Sequence, residues 1–286
     1  MAFIEVKNVS FGYGHKTPFE VQALRNVSFS VDKGECISVI GHTGSGKSTL
    51  MQMLNALIKP EAGEILIDGK NINADKKSVS AARFTVGLCF QYPEYQLFGE
   101  TCFEDIAFGP RNMGLPEDEV KRRVLQAAGF VHLKADKLEA SPFDLSGGQK
   151  RRCAIAGVMA MLPPVLILDE PTAGLDPAGR DSVLRMIRRY REETGATVIL
   201  VTHSMEIAAQ TSDRILVLNK GEVAYFGTPQ EIFSHSEELI GMGLNVPSFT
   251  KITIALRALG YPVTDVYTVE AAAAQIGRLI RGEENA

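Results

Sequence analysis

The chain has 286 residues, enough for one large domain with an appendage or two modest domains, and its 45% hydrophobic and 22% charged content is ordinary for a globular core. Its formal net charge of −4 weighs against nucleic-acid binding, which favours a basic surface. In chain order, Ile4-Glu5-Val6 and Val27 to Val31 alternate as strands, punctuated by Gly12, Gly14, Pro18 and Gly34. Cys36 to Ile40 is a third strand, and it runs straight into a glycine-rich turn. A helix is expected over Ser48 to Asn55, and a strand over Gly63 to Gly69 closed by an Asp-Gly turn.

Between about residues 100 and 160 the pattern turns helical, over Glu104–Phe108, Glu117–Gly129 and Gly148–Met161, with no convincing strand among them. The apolar, β-branched runs Val165–Leu168 and Thr197–Val201 then suit strands buried on both faces of a parallel sheet. A helix over Ala178–Thr194 joins them as a strand-helix-strand unit. Residues 214–226 return to strand and turn. Two short amphipathic helices are expected at the end, the first capped by Ser248 and ended by Gly260 and Pro262, the second capped by Thr268 and ended at Gly282. Val263 to Tyr267 reads as a short strand between them.

Three motifs carry chemistry. Gly41-His42-Thr43-Gly44-Ser45-Gly46-Lys47-Ser48-Thr49 fits G-x-x-x-x-G-K-[ST] after a strand and at the start of a helix. Its glycines let backbone N–H groups turn onto phosphate oxygens, and the helix N-terminus adds partial positive charge. Lys47 is placed for the β- and γ-phosphates, and the Ser48 hydroxyl for Mg²⁺. The strand at Val165 ends in Asp169-Glu170. Asp169 can hold Mg²⁺ directly or through water, leaving Glu170 to orient and deprotonate an attacking water. Lys47 and Asp169 are 122 positions apart, which permits one sheet carrying an inserted helical domain. The third motif, Leu145-Ser146-Gly147-Gly148-Gln149, puts a hydroxyl and two unobstructed N–H groups ahead of a helix, a second anion site 20 residues before Asp169.

Together these motifs resemble the ATP-binding-cassette (ABC) family over roughly residues 3–235. The resemblance implies an α/β fold: a P-loop NTPase core with an antiparallel β subdomain, an inserted α-helical subdomain at about 95–162, and a small extension over 236–286 expected to contact the other member of a dimer. It also implies that Ser146, Gly147, Gly148 and Gln149 face the γ-phosphate of ATP bound by a second cassette. Tyr13 would stack on adenine. Gln91 would touch Mg²⁺ and the attacking water and sense a transmembrane partner. Asp176, in Gly174-Leu175-Asp176, would cross the dimer interface, and His203 would contact the γ-phosphate and Glu170. His15, His42, His132 and His235 are given no role of this kind.

The absence of a long heptad insert, a second cassette or membrane helices sets aside chromosome-type, translation-factor and fused-exporter members. Residues 91–98 (QYPEYQLF), 104–110 (EDIAFGP) and 146–157 (SGGQKRRCAIAG) are similar to ATPases of energy-coupling-factor (ECF) transporters for vitamins and transition metals, in particular the second of their two paralogous ATPases. That resemblance implies a second ATPase subunit, identical or paralogous, a transmembrane coupling protein and a membrane-embedded substrate binder. Another ABC importer or exporter is the alternative. Glu94 beside Tyr92, Tyr95 and Phe98 offers a negative charge to a basic helix of the membrane partner. The N-terminus lacks a signal-peptide layout and no apolar run reaches bilayer length, so a cytoplasmic chain at the inner face of the membrane is expected. Cys36, Cys89, Cys102 and Cys153 form no Cys-x-x-Cys pair and read as buried free thiols.

Overall fold

The computed structural model describes residues 2–14 and 17–281. The first strands, β1 (Ile4–Tyr13) and β2 (Val21–Val31), pair antiparallel with Ile4 opposite Val31 and Tyr13 opposite Val21. β3 (Cys36–Ile40) is followed by α1 (Lys47–Leu54), and β4 (Ala62–Ile67) by the two-residue β5 (Lys70–Asn71). Strand order β2-β1-β4-β5 makes a four-stranded antiparallel sheet. Next come α2 (Lys76–Thr85) and β6 (Val86–Cys89). The helix α2 escaped the sequence reading. It is capped by Asp75, whose carboxylate accepts from Ser78 N at 2.7 Å, but it buries only Ala82 and so carries almost no apolar stripe.

The helical insert consists of α3 (Cys102–Asn112), α4 (Glu117–Phe130) and α5 (Gly147–Met159). Ile106, Val120, Val124, Phe130, Ile155 and Met159 are fully buried among them, in one core with the adjoining sheet face. The chain then returns through β7 (Val165–Asp169), α6 (Pro177–Thr194), β8 (Thr197–Val201), α7 (Met205–Thr211), β9 (Arg214–Asn219) and β10 (Glu222–Gly227). The second sheet has order β10-β9-β3-β8-β7-β6. All its neighbours pair parallel except the hairpin β9–β10. The apolar runs of β3, β7 and β8 are buried on both faces, as a parallel sheet covered on both sides requires.

Four short helices close the chain: α8 (Pro229–Ser234), α9 (Ser236–Gly241), α10 (Ser248–Ala258) and α11 (Val269–Arg281). Two expectations fail here. Val263 to Tyr267 is not a strand, because side chains take its backbone groups: Gln275 Oε1 accepts from Thr264 N and Thr250 Oγ1 donates to Val266 O. Ser248 does not cap α10 either. It is the first helical residue, and its N–H and hydroxyl both donate to Glu206 Oε1. Thr268 does cap α11, accepting from Ala271 N. The expected end at Gly282, like His15, lies outside the described residues.

Candidate active site at the carboxyl ends of the parallel strands

Open α/β sheets bind ligands beyond the carboxyl ends of their strands, where the connections diverge. Here β3 leads to the phosphate loop, β6 to Gln91, β7 to Asp169-Glu170 and β8 to His203. These segments line one cavity of about 530 Å³ together with Tyr13, Thr43, Gly44, Gly46, Lys47, Ser48 and Thr49.

The loop between β3 and α1 has little freedom of sequence. Gly41 packs so closely on Leu218 O and Ser45 Oγ that a Cβ would lie 2.4 Å from each. Gly46 has φ +99°, and a Cβ there would sit 2.5 Å from Ala23 O. Lys47 folds back across this loop, donating to Gly41 O at 2.6 Å and His42 O at 3.0 Å. Burial pulls the Lys47 ammonium below the usual lysine range, opposed by the charges of Glu170 and Asp169. Ser45 Oγ is buried and makes no hydrogen bond. The His42 ring turns aside, with Nδ1 2.7 Å from Thr43 O.

Ser48 Oγ lies 3.4 Å from Asp169 Oδ2, so two hard oxygens converge at the floor of the cavity. Burial raises the Asp169 pKa, while Lys47 and Ser48 lower it. Glu170 has a left-handed backbone, φ 51°, uncommon outside glycine. Its N–H is held by Val201 O on β8 at 3.0 Å. Burial, reinforced by the adjacent Asp169 charge, pushes its carboxyl up to about 7. Glu170 Oε1 is buried without a hydrogen bond and lies 3.5 Å from His203 Nε2. Burial, and then the Lys47 charge, lower the His203 pKa, so the neutral imidazole is favoured. At the outer rim Tyr13 is 45% exposed, edge-on to Phe11, with its hydroxyl 3.2 Å from Thr49 Oγ1.

Ser146 to Gln149 lie elsewhere. They begin α5 and do not line this cavity. Ser146, Gly147 and Gly148 are exposed, and a Cβ on either glycine would meet nothing within 4 Å. Gln149 turns back, its Oε1 accepting from Ser146 N at 3.1 Å. Asp176 is also exposed and outside the cavity. It caps α6, accepting from Gly179 N at 2.7 Å.

The family model for ABC transporters matches residues 24–173. The energy-coupling factor transporter ATP-binding protein EcfA2 of Caldanaerobacter subterraneus subsp. tengcongensis is 50% identical over 283 residues, covering 99% of each chain. That of Clostridium acetobutylicum is 50% identical over 279 residues, covering 97% of this chain and 98% of the relative. The chain belongs to the ABC transporter family, among its energy-coupling-factor ATP-binding proteins. Among solved structures, CbiO1 of Clostridium perfringens, part of the ABC transporter complex CbiONQ, superposes with a TM-score of 0.75 at 36% identity, covering 91% of this chain and 97% of that one. The ATP-binding cassette MJ0796, solved as a dimer in a post-hydrolysis state with ADP and phosphate, gives 0.71 at 31% identity over 79% and 98%. This chain is therefore an ATPase of the ABC type, and cassettes of this type act in pairs with transmembrane components.

Within this ABC fold, sequence reasoning missed three residues of the cavity. Val21, Gln22 and Ala23 of β2 form its outer wall. The signal was available only through strand pairing, since Val21 stands opposite Tyr13 and Gln22 opposite Gly12. One expectation is corrected. Glu94 is not a free charge awaiting a basic helix, because Arg151 of α5 binds both its carboxylate oxygens, at 2.7 and 3.0 Å. The four cysteines are buried and free.

Proposed function

We propose that this ABC ATPase hydrolyses ATP in a composite site and so energises uptake of a vitamin or transition-metal ion through an energy-coupling-factor transporter. One observation carries the reading: Lys47, Ser48, Gln91, Asp169, Glu170 and His203 converge on one cavity, while Ser146, Gly147 and Gly148 stand exposed outside it. The phosphate loop cradles the phosphates through its backbone N–H groups, and Lys47 pairs with the β- and γ-phosphates. Tyr13 offers its exposed ring face to adenine, next to Val21 and Gln22. Ser48, Asp169 and Gln91 supply the oxygens that suit Mg²⁺, a hard cation. When bound, Mg²⁺ neutralises charge developing on the phosphate oxygens.

Glu170 is the general base. Its orphaned Oε1 gives an attacking water an acceptor that no protein group already occupies. His203, neutral and 3.5 Å away, orients that carboxylate and reaches toward the γ-phosphate. Ser146, Gly147 and Gly148 of a second cassette complete the site from the opposite side, with Gln149 holding the helix start and Asp176 lying near the same interface. The second cassette is an identical chain or a paralogue, and residues 236–286 contribute to the pairing.

A groove of about 290 Å³ beside Gln91, walled by α3, α5 and the turn at Pro93–Gln96, takes a helix of a transmembrane coupling protein. Phe98 and Phe108, edge-on at 5.0 Å and largely exposed, give it an apolar lip. Such docking puts the chain at the cytoplasmic face of the membrane, and the transported solute meets a separate membrane-embedded subunit. Among the described residues no helix is long and apolar enough to cross a membrane. Glu170→Gln tests the chemistry. ATP binding should persist while turnover falls at least about a hundredfold. Hydrolysis at the original rate would remove Glu170 from its role.

A further inference from the structure

Arg151 is 5% exposed, on the second turn of α5. Its guanidinium joins three segments. Nε and Nη2 hold the two carboxylate oxygens of Glu94 at 3.0 and 2.7 Å. Nη1 donates to Ala173 O at 2.6 Å, and the guanidinium lies 5.9 Å from the Tyr92 ring centroid. Tyr92 directly follows Gln91, and Glu94 lies in the turn that walls the docking groove. Ala173 N in turn donates to Glu170 O at 3.1 Å. The helix that carries Arg151 begins at Ser146 to Gln149. One planar fork therefore spans the docking turn, the turn behind Glu170 and the helix whose start faces the second cassette. A guanidinium bonded through all three of its nitrogens fixes direction as well as distance, which a lysine ammonium does not.

We propose that Arg151 is a positioning residue for hydrolysis, transmitting displacement of the turn after Gln91 to Glu170 and to Ser146–Gln149. This rests on Glu170 acting as the base. Losing the bond to Ala173 frees the Glu170 turn to shift, and an ångström of misplacement there can cost on the order of a hundredfold in rate.

The test uses the full-length chain assembled with its second cassette, with ATP and Mg²⁺. It reads kcat, KM, affinity for a fluorescent ATP analogue and melting temperature. Arg151→Met alone strands the half-buried Glu94 carboxylate and can fail to fold. The decisive variant therefore combines Arg151→Met with Glu94→Gln and removes both charges. Expected are a melting temperature close to wild type, ATP affinity within about twofold, and kcat lowered at least about tenfold. Arg151→Lys keeps the charge without the fork and should fall between, again in kcat and not in KM. Wild-type kcat in the double variant or in Arg151→Lys would overturn the proposal. So would a fall in ATP affinity that matches the fall in kcat, the mark of a merely structural role. Glu170→Gln runs in parallel: if it still turns over, the base assignment fails, whereas an inactive Glu170→Gln beside a fully active double variant removes only the role of Arg151.

Discussion

The cavity around Lys47 and the exposed start of α5 around Ser146 handle the same kind of ligand but differ in how much geometry one chain supplies. At Lys47 the carboxyl ends of four parallel strands point at one volume, and burial is deep enough to shift every charged group in it. At Ser146 there is a helix N-terminus, two glycines and solvent. The first region is organised by the sheet before any ligand arrives. The second has donors but no wall, so it acquires a site only when another molecule brings one. Pairing is then part of the chemistry and not an addition to it.

The largest expected effects come from breaking each region separately. Lys47→Ala should weaken ATP binding by roughly 10- to 100-fold, since a hydrogen bond to a charged partner is worth about 1.5–3 kcal/mol. A Cβ at Gly148 would meet nothing within 4 Å in its own chain, so in Gly148→Asp the fold should hold and the Lys47 cavity should still bind ATP. Its new charge would face the partner's γ-phosphate, and hydrolysis should fall at least about a hundredfold. Equilibrium binding and turnover, measured on the same preparations, separate the two. If Gly148→Asp lost ATP binding as Lys47→Ala does, the two regions would be one site within one chain. In a self-paired dimer, mixing the two inactive variants should restore part of the activity, because one of the two composite sites escapes both changes.

How much could be read from the residues follows the same division. Lys47, Asp169 and Glu170 were legible because each motif is local and sits at the end of an apolar strand whose burial follows from its composition. Their convergence needed only the strand order of a parallel sheet. Val21 to Ala23 were not legible, since their place in the cavity depends on the pairing of β1 with β2 and on the contact of Ala23 O with Gly46. Nor was the Glu94–Arg151 pair, whose members are 57 positions apart and meet only once α5 packs against the turn. The strand expected at Val263–Tyr267 shows the converse failure. Its β-branched residues fit a strand, but Thr250 and Gln275 side chains satisfy its backbone in place of a neighbouring strand.

A smaller effect is expected at the rim. Tyr13→Ala removes the exposed ring but leaves the phosphate loop intact. Loss of about 1 kcal/mol of stacking should raise KM for ATP roughly fivefold, with little change in kcat. Tyr13→Phe should behave like the original chain, because the ring and not the hydroxyl meets the base. A Tyr13→Phe variant as impaired as Tyr13→Ala would shift the role of Tyr13 to its hydroxyl contact with Thr49.

The smallest effect concerns a clamp between the two sheets, at the end of β3 and β9 opposite the phosphate loop. Glu35, just before β3, binds Arg214 of β9, whose Nη2 also donates to Ser30 O on β2 at 3.0 Å. Arg214 lies over the Phe226 ring at 4.3 Å. Burial works to raise the Glu35 pKa, but the bond from Arg214, the Asp32 N–H and the Arg214 and Arg191 charges together hold it below the usual carboxylate range. A depressed folded pKa means the stabilisation is fully present above the unfolded value and is lost as pH falls through the folded one. Glu35→Gln should therefore cost about 0.5 kcal/mol of stability near pH 7, with turnover unchanged. It should also flatten the fall in melting temperature on acidification below the ordinary glutamate range, because the variant has already lost what acid would remove. Parallel acid-side melting curves for the two proteins would show that this clamp does not depend on the Glu35 charge, and that β2 is held against β3 and β9 by packing alone.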